Sequence, residues 1–600
     1  MQINLLAPRL ATAALLFLAA CSSTPTLDYK VPAMPEGASG STAKPGWSAQ
    51  RMMVAAANPL ATDAGYQVLR AGGSAIDAAV AVQMVLALVE PQSSGIGGGA
   101  FLLHSDGRAV QAWDGRETAP AAADERLFLL PDGQPMPFLQ AAVGGRAVGV
   151  PGAVRMLEAA HRQHGKLPWS KLFEPAIALA EAGFRVSPRM HTQLKAETAL
   201  RQDPQARAYF YGPDGEPHPV GHRLRNPALA EVLRAIAAGG SDALHSGAVA
   251  ADIVARVRGH AGNPGRLTAA DLAGYAARQR DVICTGWKQR YRVCGFPPPS
   301  SGHLTVMQIL GLLEHVPAVV APLSAGVPSA DWLHVYTEAA RLAFADRNQY
   351  IADPDFVAPP AGRWASLLDA AYLKPRAALI GAQSMKVAQP GAPGGTRSAW
   401  APQPAQPESG TSHLSVVDGE GRAVAMTTSI ESAWGSRILA DGGTAKAGGF
   451  LLNNQLIDFS MVPADARGQV IANRVQPGKR PLSSMSPTLV FDLSDGRLLM
   501  SLGSPGGAAI IHFTAKTLIA SLDWGLDVQR AINLPNFASF NGPTALEAGR
   551  FAPATLEALR QRGHTVVETD MTSGLQAIQR TPSGWFGGAD PRREGVVMGD

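Results

Sequence analysis

The sequence predicts a layered α/β (α+β) protein, with sheets covered by helices. Helical periodicity runs from Pro59 to about residue 350, whereas from Thr411 onward the chain alternates polar and apolar residues in runs of strand length. Between the two regimes lies a Pro/Gly/Gln-rich junction, residues 389–410, whose composition cannot pack well. Separate helical and strand-rich blocks in one long chain are accommodated when sheets are layered with helices.

The first 20 residues read as an address. Arg9 is the positive flank, residues 10–20 form a short apolar run, and Leu18-Ala19-Ala20-Cys21 has a small-residue cleavage pattern ending in cysteine. The run is too short to span a bilayer comfortably. It resembles a bacterial lipoprotein signal, so Cys21 is the expected lipidation site and residues 21–50 the flexible tether that follows. Ser22 does not resemble the acidic inner-membrane retention signal. The expected location is the periplasm of a Gram-negative type bacterium, anchored by lipid alone and favouring the outer membrane. The body of the chain is then residues 51–410 and 411–600. With 17% charged residues, 46% hydrophobic residues and a net charge of +4, it is ordinary globular protein. No basic run is interleaved with aromatics, so nucleic acid is not an expected partner.

The helical block opens at Pro59 and runs through ATDAGYQVLR to a Gly-Gly stop. A largely apolar helix, AIDAAVAVQMVLALV, follows and is expected to be buried. The run Gly95-Ile96-Gly97-Gly98-Gly99 leads into the strand AFLLH. A dinucleotide fingerprint needs strand, glycines and helix in that order, and here the order is helix, glycines, strand. Further helices are expected at AVRMLEAAHRQHG, LFEPAIALAEAG, PALAEVLRAIAAGG and SADWLHVYTEAARLAFADRNQYI. His161 and His164 stand three apart on one of them and could share a metal, but no HExxH accompanies them and surface placement is expected. Cys284 and Cys294 flank TGWKQRYRV, two short strands around a turn; a hairpin disulfide and a pair of packed thiols both fit.

After the junction, TSHLSVVD and RAVAMTTSI alternate on either side of Gly419-Glu420-Gly421, a hairpin signal. Opposed residue numbers then sum to 839 or 840, setting Thr411 across from Thr428 or Ser429. A threonine opening a strand after a poorly packing junction is placed to become a new N-terminus. Cleavage at Gly410-Thr411 would make its hydroxyl a nucleophile and its freed amine the base. Three further segments carry polar sets. In LLNNQLIDFS, Asp458 with Gln455 could hold an ammonium group. In KRPLSSMSPT, Ser483 and Ser484 are adjacent donors suited to a carboxylate, which Arg116 would complement. In GSPGG, the Gly506 and Gly507 amides could face a developing oxyanion.

Taken together these segments resemble the γ-glutamyltransferase family of N-terminal nucleophile hydrolases. The resemblance runs from about residue 55 to 592 through GGSAIDAAVAV, PQSSGIGGGAFLLH, the Arg116 segment, PPPSSG, LAFADRNQYIADPDF, TSHLSVVD, LLNNQLIDF, KRPLSSMSPT, GSPGG and GGADPR. It implies a four-layer αββα sandwich formed jointly by two autoproteolytic subunits, divided at Gly410-Thr411. It implies Thr411 as nucleophile supported by Ser429, with Gly506 and Gly507 as the oxyanion hole. Arg116, Ser483 and Ser484 would take a substrate α-carboxylate, and Glu431, Gln455 and Asp458 its α-ammonium. The implied donors are glutathione and other γ-glutamyl amides, and the acceptors are water, amino acids or peptides. No metal or organic cofactor is implied.

The chain departs from the family pattern in three places. Position 429 is serine where threonine is common, and position 431 is glutamate where many members have asparagine. Residues 461–478, which correspond to a pocket lid in some members, are short and lack tyrosine, so a closing lid is not expected. Other hydrolase classes find no support: there is no G-x-S-x-G, and the S-x-x-K at Ser41–Lys44 falls in the tether. A glutaryl-type acylase of the same superfamily would have no α-ammonium to match Asp458 and Glu431. A non-enzymatic lipoprotein retaining the fold would be distinguished by failure to self-cleave.

Overall fold

The computed structural model describes residues 40–395, 398–404, 406 and 410–600. Cys21 and the signal segment lie outside them.

Fourteen strands form two seven-stranded sheets. In chain order they are β1 Trp47–Ala49, β2 Met53–Ala56, β3 Gly99–Ser105, β4 Val110–Gly115, β5 Arg278–Arg280, β6 Ile283–Trp287 and β7 Tyr291–Gly295. After the junction come β8 Ser412–Val417, β9 Ala423–Ser429, β10 Thr488–Asp492, β11 Leu498–Gly503, β12 Gln576–Thr581, β13 Gly584–Ala589 and β14 Val596–Gly599. One sheet has the order β14-β2-β8-β9-β3-β4-β5 and the other β1-β13-β12-β11-β10-β7-β6. Both interleave strands from before and after Gly410, so scission there would leave two pieces sharing one core.

Side-chain alternation along the strands makes the layers. Met53, Ala55, Val417, Ala423 and Ala425 meet Leu489, Phe491 and Ile578 of the facing sheet. The alternate residues Val54, Leu414, Val416, Val424 and Met426 pack outward on helices α1 (Pro59–Arg70) and α2 (Ala75–Val89). On the far side Val490, Met500 and Leu502 pack outward on α3 (Gly302–Glu314), α4 (Ala330–Tyr350) and α5 (Ile510–Leu522). The result is the expected αββα sandwich.

The predicted elements form for identifiable reasons. Asn58 caps α1 by accepting from Leu60 N at 3.0 Å, with Pro59 at the first helical position. A Ser74/Asp77 capping box starts α2, whose fifteen residues are all buried, as its uniform apolarity requires. The β8–β9 hairpin has Ser412 opposite Thr428 and Val417 opposite Ala423, so opposed residues sum to 840. Cys284 and Cys294 oppose one another on β6 and β7 and are joined by a disulfide.

Two expectations are corrected. His161 and His164 are partly buried rather than on the surface, and they serve different partners: His161 Nε2 lies 2.9 Å from Leu167 O, and His164 Nε2 lies 2.5 Å from Gln111 Oε1. Residues 42–49, inside the stretch read as tether, are docked. Thr42 N donates to Pro591 O at 2.9 Å and β1 pairs with β13, because the C-terminal segment offers unpaired backbone there.

Candidate active site

The β8–β9 hairpin brings the first two site residues together. Thr411 is 3% exposed, and its Oγ1 lies 3.4 Å from Ser429 Oγ and also donates to Gly410 O. Ser429 Oγ donates to the same carbonyl at 2.6 Å while accepting from Glu431 N at 2.8 Å. The amide therefore directs the serine proton onto Gly410 O. Gly410 has φ +76°, and a Cβ there would sit 1.9 Å from Glu431 O. Only glycine takes this backbone without strain.

The glycine run of residues 95–99 proves to be a packing device. A Cβ on Gly98 would lie 2.1 Å from Ser429 O, and one on Gly97 would lie 2.3 Å from Leu451 O. Asn453 locks the arrangement: its Nδ2 donates to Gly97 O (2.8 Å) and Gly149 O (2.9 Å), and its Oδ1 accepts from Gly149 N and Gln455 N, both at 3.0 Å.

The charged part of the site follows directly. Gln455–Asp458 is one 3₁₀ turn, in which residues three apart eclipse. Gln455 Nε2 thus reaches Asp458 Oδ2 (2.8 Å) and Glu431 Oε2 (3.2 Å), gathering the three residues predicted to meet an ammonium. Arg116 is buried, donating from Nη2 to Asp458 Oδ2 (2.5 Å) and Leu482 O (2.6 Å) and from Nε to Pro481 O (3.2 Å). The guanidinium and the carboxylate, assigned to opposite ends of a substrate head group, are direct neighbours. Such a pair suits a zwitterion, which adds no net charge to a buried site. Behind it Glu117 is fully buried, and burial pushes its carboxyl up to about 8 despite the adjacent Arg116.

Ser483 and Ser484 adjoin Leu482. Ser483 Oγ accepts from Met485 N at 3.2 Å, and Ser484 Oγ accepts from Arg347 Nη2 at 2.7 Å. Both hydroxyl oxygens therefore act as acceptors within the protein. Arg347, whose Nε also donates to Ser301 Oγ at 2.9 Å, was not singled out from the sequence. It stands in the LAFADRNQYIADPDF block, and Ser301 stands in PPPSSG, so the signal was present without a geometry to read it.

Gly506 and Gly507 arrive from the facing sheet. Ser501 Oγ donates to Ser415 Oγ at 3.0 Å, and a Cβ on Gly503 would lie 2.3 Å from the His413 ring. Pro505 and Gly506 follow this crossing, and Arg593, which donates to Thr411 O at 3.2 Å, lies with Pro505 over Gly574. Gly506 has φ +131°, leading through Gly507 into α5, and neither amide donates to a described residue. His413, the histidine nearest in sequence to Thr411, is bound by Thr427 Oγ1 (2.8 Å) and Ser415 Oγ (3.1 Å), and burial lowers its pKa to about 3. It is a packed neutral group between the sheets.

Residues 461–478 fold onto the junction. Ile471 bridges to Ala401, Asn473 Nδ2 donates to Asp458 O (2.7 Å) and Gln403 Oε1 (2.8 Å), and Gln406 Nε2 donates to Ile457 O and Phe459 O, both at 2.9 Å. One cluster of metal-ligand composition occurs among the described residues, His334, Glu338 and His564. Its atoms already have partners. His334 Nε2 reaches Gly381 O (2.8 Å), His334 Nδ1 reaches His564 Nε2 (2.7 Å), and His564 Nδ1 reaches Thr544 Oγ1 (2.8 Å). Glu338 is taken by Arg341 (2.6 Å), Ser384 (2.9 Å) and the Met385 amide (2.7 Å). The cluster is a hydrogen-bond network joining the two halves of the chain.

Known proteins resemble this chain along most of its length. The chain is 37% identical over 553 residues to the glutathione hydrolase proenzyme of Escherichia coli (strain K12), covering 91% of each. It is 34% identical over 551 residues to the acylase ACY 1 proenzyme of Pseudomonas sp. (strain SE83), covering 90% of this chain and 92% of that one. Among solved structures, the cephalosporin acylase from Bacillus halodurans superposes with a TM-score of 0.78 at 27% identity, covering 93% of this chain and 97% of that one. The family model described as Gamma-glutamyltranspeptidase matches residues 61–600, and the chain belongs to that family.

Proposed function

We propose that this protein is a self-processing γ-glutamyl hydrolase and transferase whose nucleophile is Thr411. The observation that carries the reading is the placing of Thr411 Oγ1 and Ser429 Oγ on the Gly410 carbonyl. In the precursor, Thr411 Oγ attacks the Gly410 carbon and the proton passes to the Thr411 nitrogen as the C–N bond breaks. Ser429 stabilises the oxyanion. Water then hydrolyses the resulting ester, releasing the Gly410 carboxylate and a free N-terminal threonine.

In the mature enzyme the freed amine takes the proton of Thr411 Oγ as it attacks the γ-carbonyl of glutathione or a similar amide. The Gly506 and Gly507 amides receive the oxyanion, and the leaving amine takes up the proton. The γ-glutamyl ester passes to water or to the amine of an amino acid or peptide. The substrate's α-carboxylate meets Arg116, Ser483 and Ser484, and its α-ammonium meets Glu431, Gln455 and Asp458. The lipoprotein signal supports a periplasmic location with Cys21 as lipid anchor, in which dilute acceptors would favour hydrolysis.

A second reading, acylase, is favoured by the acylase relatives. The two separate on one pair of substrates. The carboxylates at 431 and 458 predict that a γ-glutamyl amide is turned over far faster than the glutaryl amide with the same leaving group. Equal or reversed rates would favour the acylase.

A further inference from the structure

Once cleavage frees Thr411, its amine must be neutral to accept the hydroxyl proton, whereas an ordinary α-amine, with a pKa near 7.7–8.0, is largely protonated at neutral pH. We propose that Arg593 keeps the Thr411 amine in its neutral, proton-accepting form, and that Lys44 is the positioning residue that holds Arg593 in place. The proposal rests on Thr411 being the nucleophile.

Arg593 Nη1 donates to the backbone carbonyl of Thr411 at 3.2 Å, and Arg593 is only 3% exposed. A guanidinium is a permanent charge, and here it stands one residue's backbone from the amine, out of bulk water. A like charge so placed disfavours the ammonium form. The hydrophobic part of the side chain lies over Gly574 beside Pro505. A Cβ on Gly574 would be 2.8 Å from Arg593 Cδ and 2.6 Å from Pro505 Cγ. The same arginine therefore borders the loop that supplies Gly506.

The turn carrying Arg593 is gathered on one ammonium. Lys44 Nζ donates to Asp590 O and Arg593 O, both at 2.7 Å, and to Gly595 O. The turn is further fixed by Thr42 N on Pro591 O (2.9 Å) and by Arg592 N on Asp590 Oδ1 (3.0 Å). The segment adjoining the expected lipid tether thus sits two bonded contacts from the nucleophile.

The charges around the site, Arg593 among them, are engaged with partners. Glu431 is bound by Gln455, and Asp458 by Gln455 and Arg116. Asp590 is bound by Arg592 and Ser573, Glu594 accepts from the Arg189 amide, and Arg189 faces Glu90 at 3.7 Å. Glu431 and Asp458 favour an ammonium, so a positive group at Thr411 itself is what opposes them.

The test uses the full chain with Arg593→Gln, which keeps a donor but removes the charge, with Arg593→Lys, which keeps the charge, and with Lys44→Met. N-terminal sequencing first establishes that each preparation exposes Thr411. The pH dependence of kcat/KM on L-γ-glutamyl-p-nitroanilide is then read from about pH 5 to 9, where the acid limb reports the base of the free enzyme. The expected result is an acid limb displaced upward by about one unit in R593Q, in place in R593K, and displaced the same way but less in K44M. A uniform fall in rate with an unmoved limb in R593Q, or equal displacement in R593K and R593Q, would overturn the proposal. Where R593Q does not mature, an unmoved limb in K44M overturns it. A wild-type chain that never exposes Thr411 would instead sink the nucleophile assignment itself.

Discussion

Replacing Gly410 by alanine separates maturation from turnover. Gly410 holds φ +76°, which costs an L-residue about 1–2 kcal/mol. The new Cβ would also fall 1.9 Å from Glu431 O and 2.9 Å from Ser432 C, and relieving such overpacking costs about 1–3 kcal/mol more. The variant escapes both by rotating the Gly410 carbonyl off Ser429 Oγ, and regaining the reactive arrangement then costs about 2–5 kcal/mol. At 1.36 kcal/mol per tenfold, self-cleavage should slow by about 30- to 5,000-fold. The assay is a time course of intact precursor against separated subunits on a denaturing gel. Residue 410 is severed from the nucleophile in the mature protein, so whatever fraction matures should turn over substrate like wild type. A G410A precursor cleaving at the wild-type rate would refute the claim that this backbone conformation prepares the scissile bond.

Two other outcomes follow from the surroundings of the site. Arg347→Met removes the guanidinium that orients Ser484, and losing about 1–2 kcal/mol of carboxylate binding should raise KM for a γ-glutamyl donor about 5- to 30-fold with little change in kcat; an unchanged KM would mean that Ser484 needs no such support. Glu117, raised by burial to about 8, stays protonated while its unfolded counterpart ionises from about 4.5 upward. Its contribution to stability is complete below pH 4.5 and is lost as the pH rises toward 8. Glu117→Gln should therefore gain thermal stability relative to wild type between those limits, by a margin that grows with pH; parallel melting curves at pH 5 and 8 would contradict this.

Much of the site was legible in the sequence because it is built from local pieces. The β8–β9 register follows from alternation about a single turn, and it alone sets Thr411 opposite Ser429. Gln455 and Asp458 stand three apart on one 3₁₀ turn, so their meeting is a local fact. The contacts made across the fold were not legible. Arg347 reaches Ser484 from 137 residues away, and Arg593 reaches Thr411 from 182. Nothing in alternation or composition encodes such pairings. The glycines of residues 95–99 were read only for what they exclude, since their use in letting two backbones touch appears only when the second backbone is present. The docking of residues 42–49 was hidden by their composition, because Lys44 and Thr42 are held by backbone carbonyls and not by an apolar pattern.

Sequencing the N-termini of the purified protein shows whether Thr411 becomes a free N-terminal nucleophile. The expected product is a chain beginning TSHLSVV, accompanied by γ-glutamyl hydrolase activity that Thr411→Ala abolishes together with the cleavage. A single intact chain that nevertheless hydrolyses γ-glutamyl amides, or cleavage at any other bond, would contradict it.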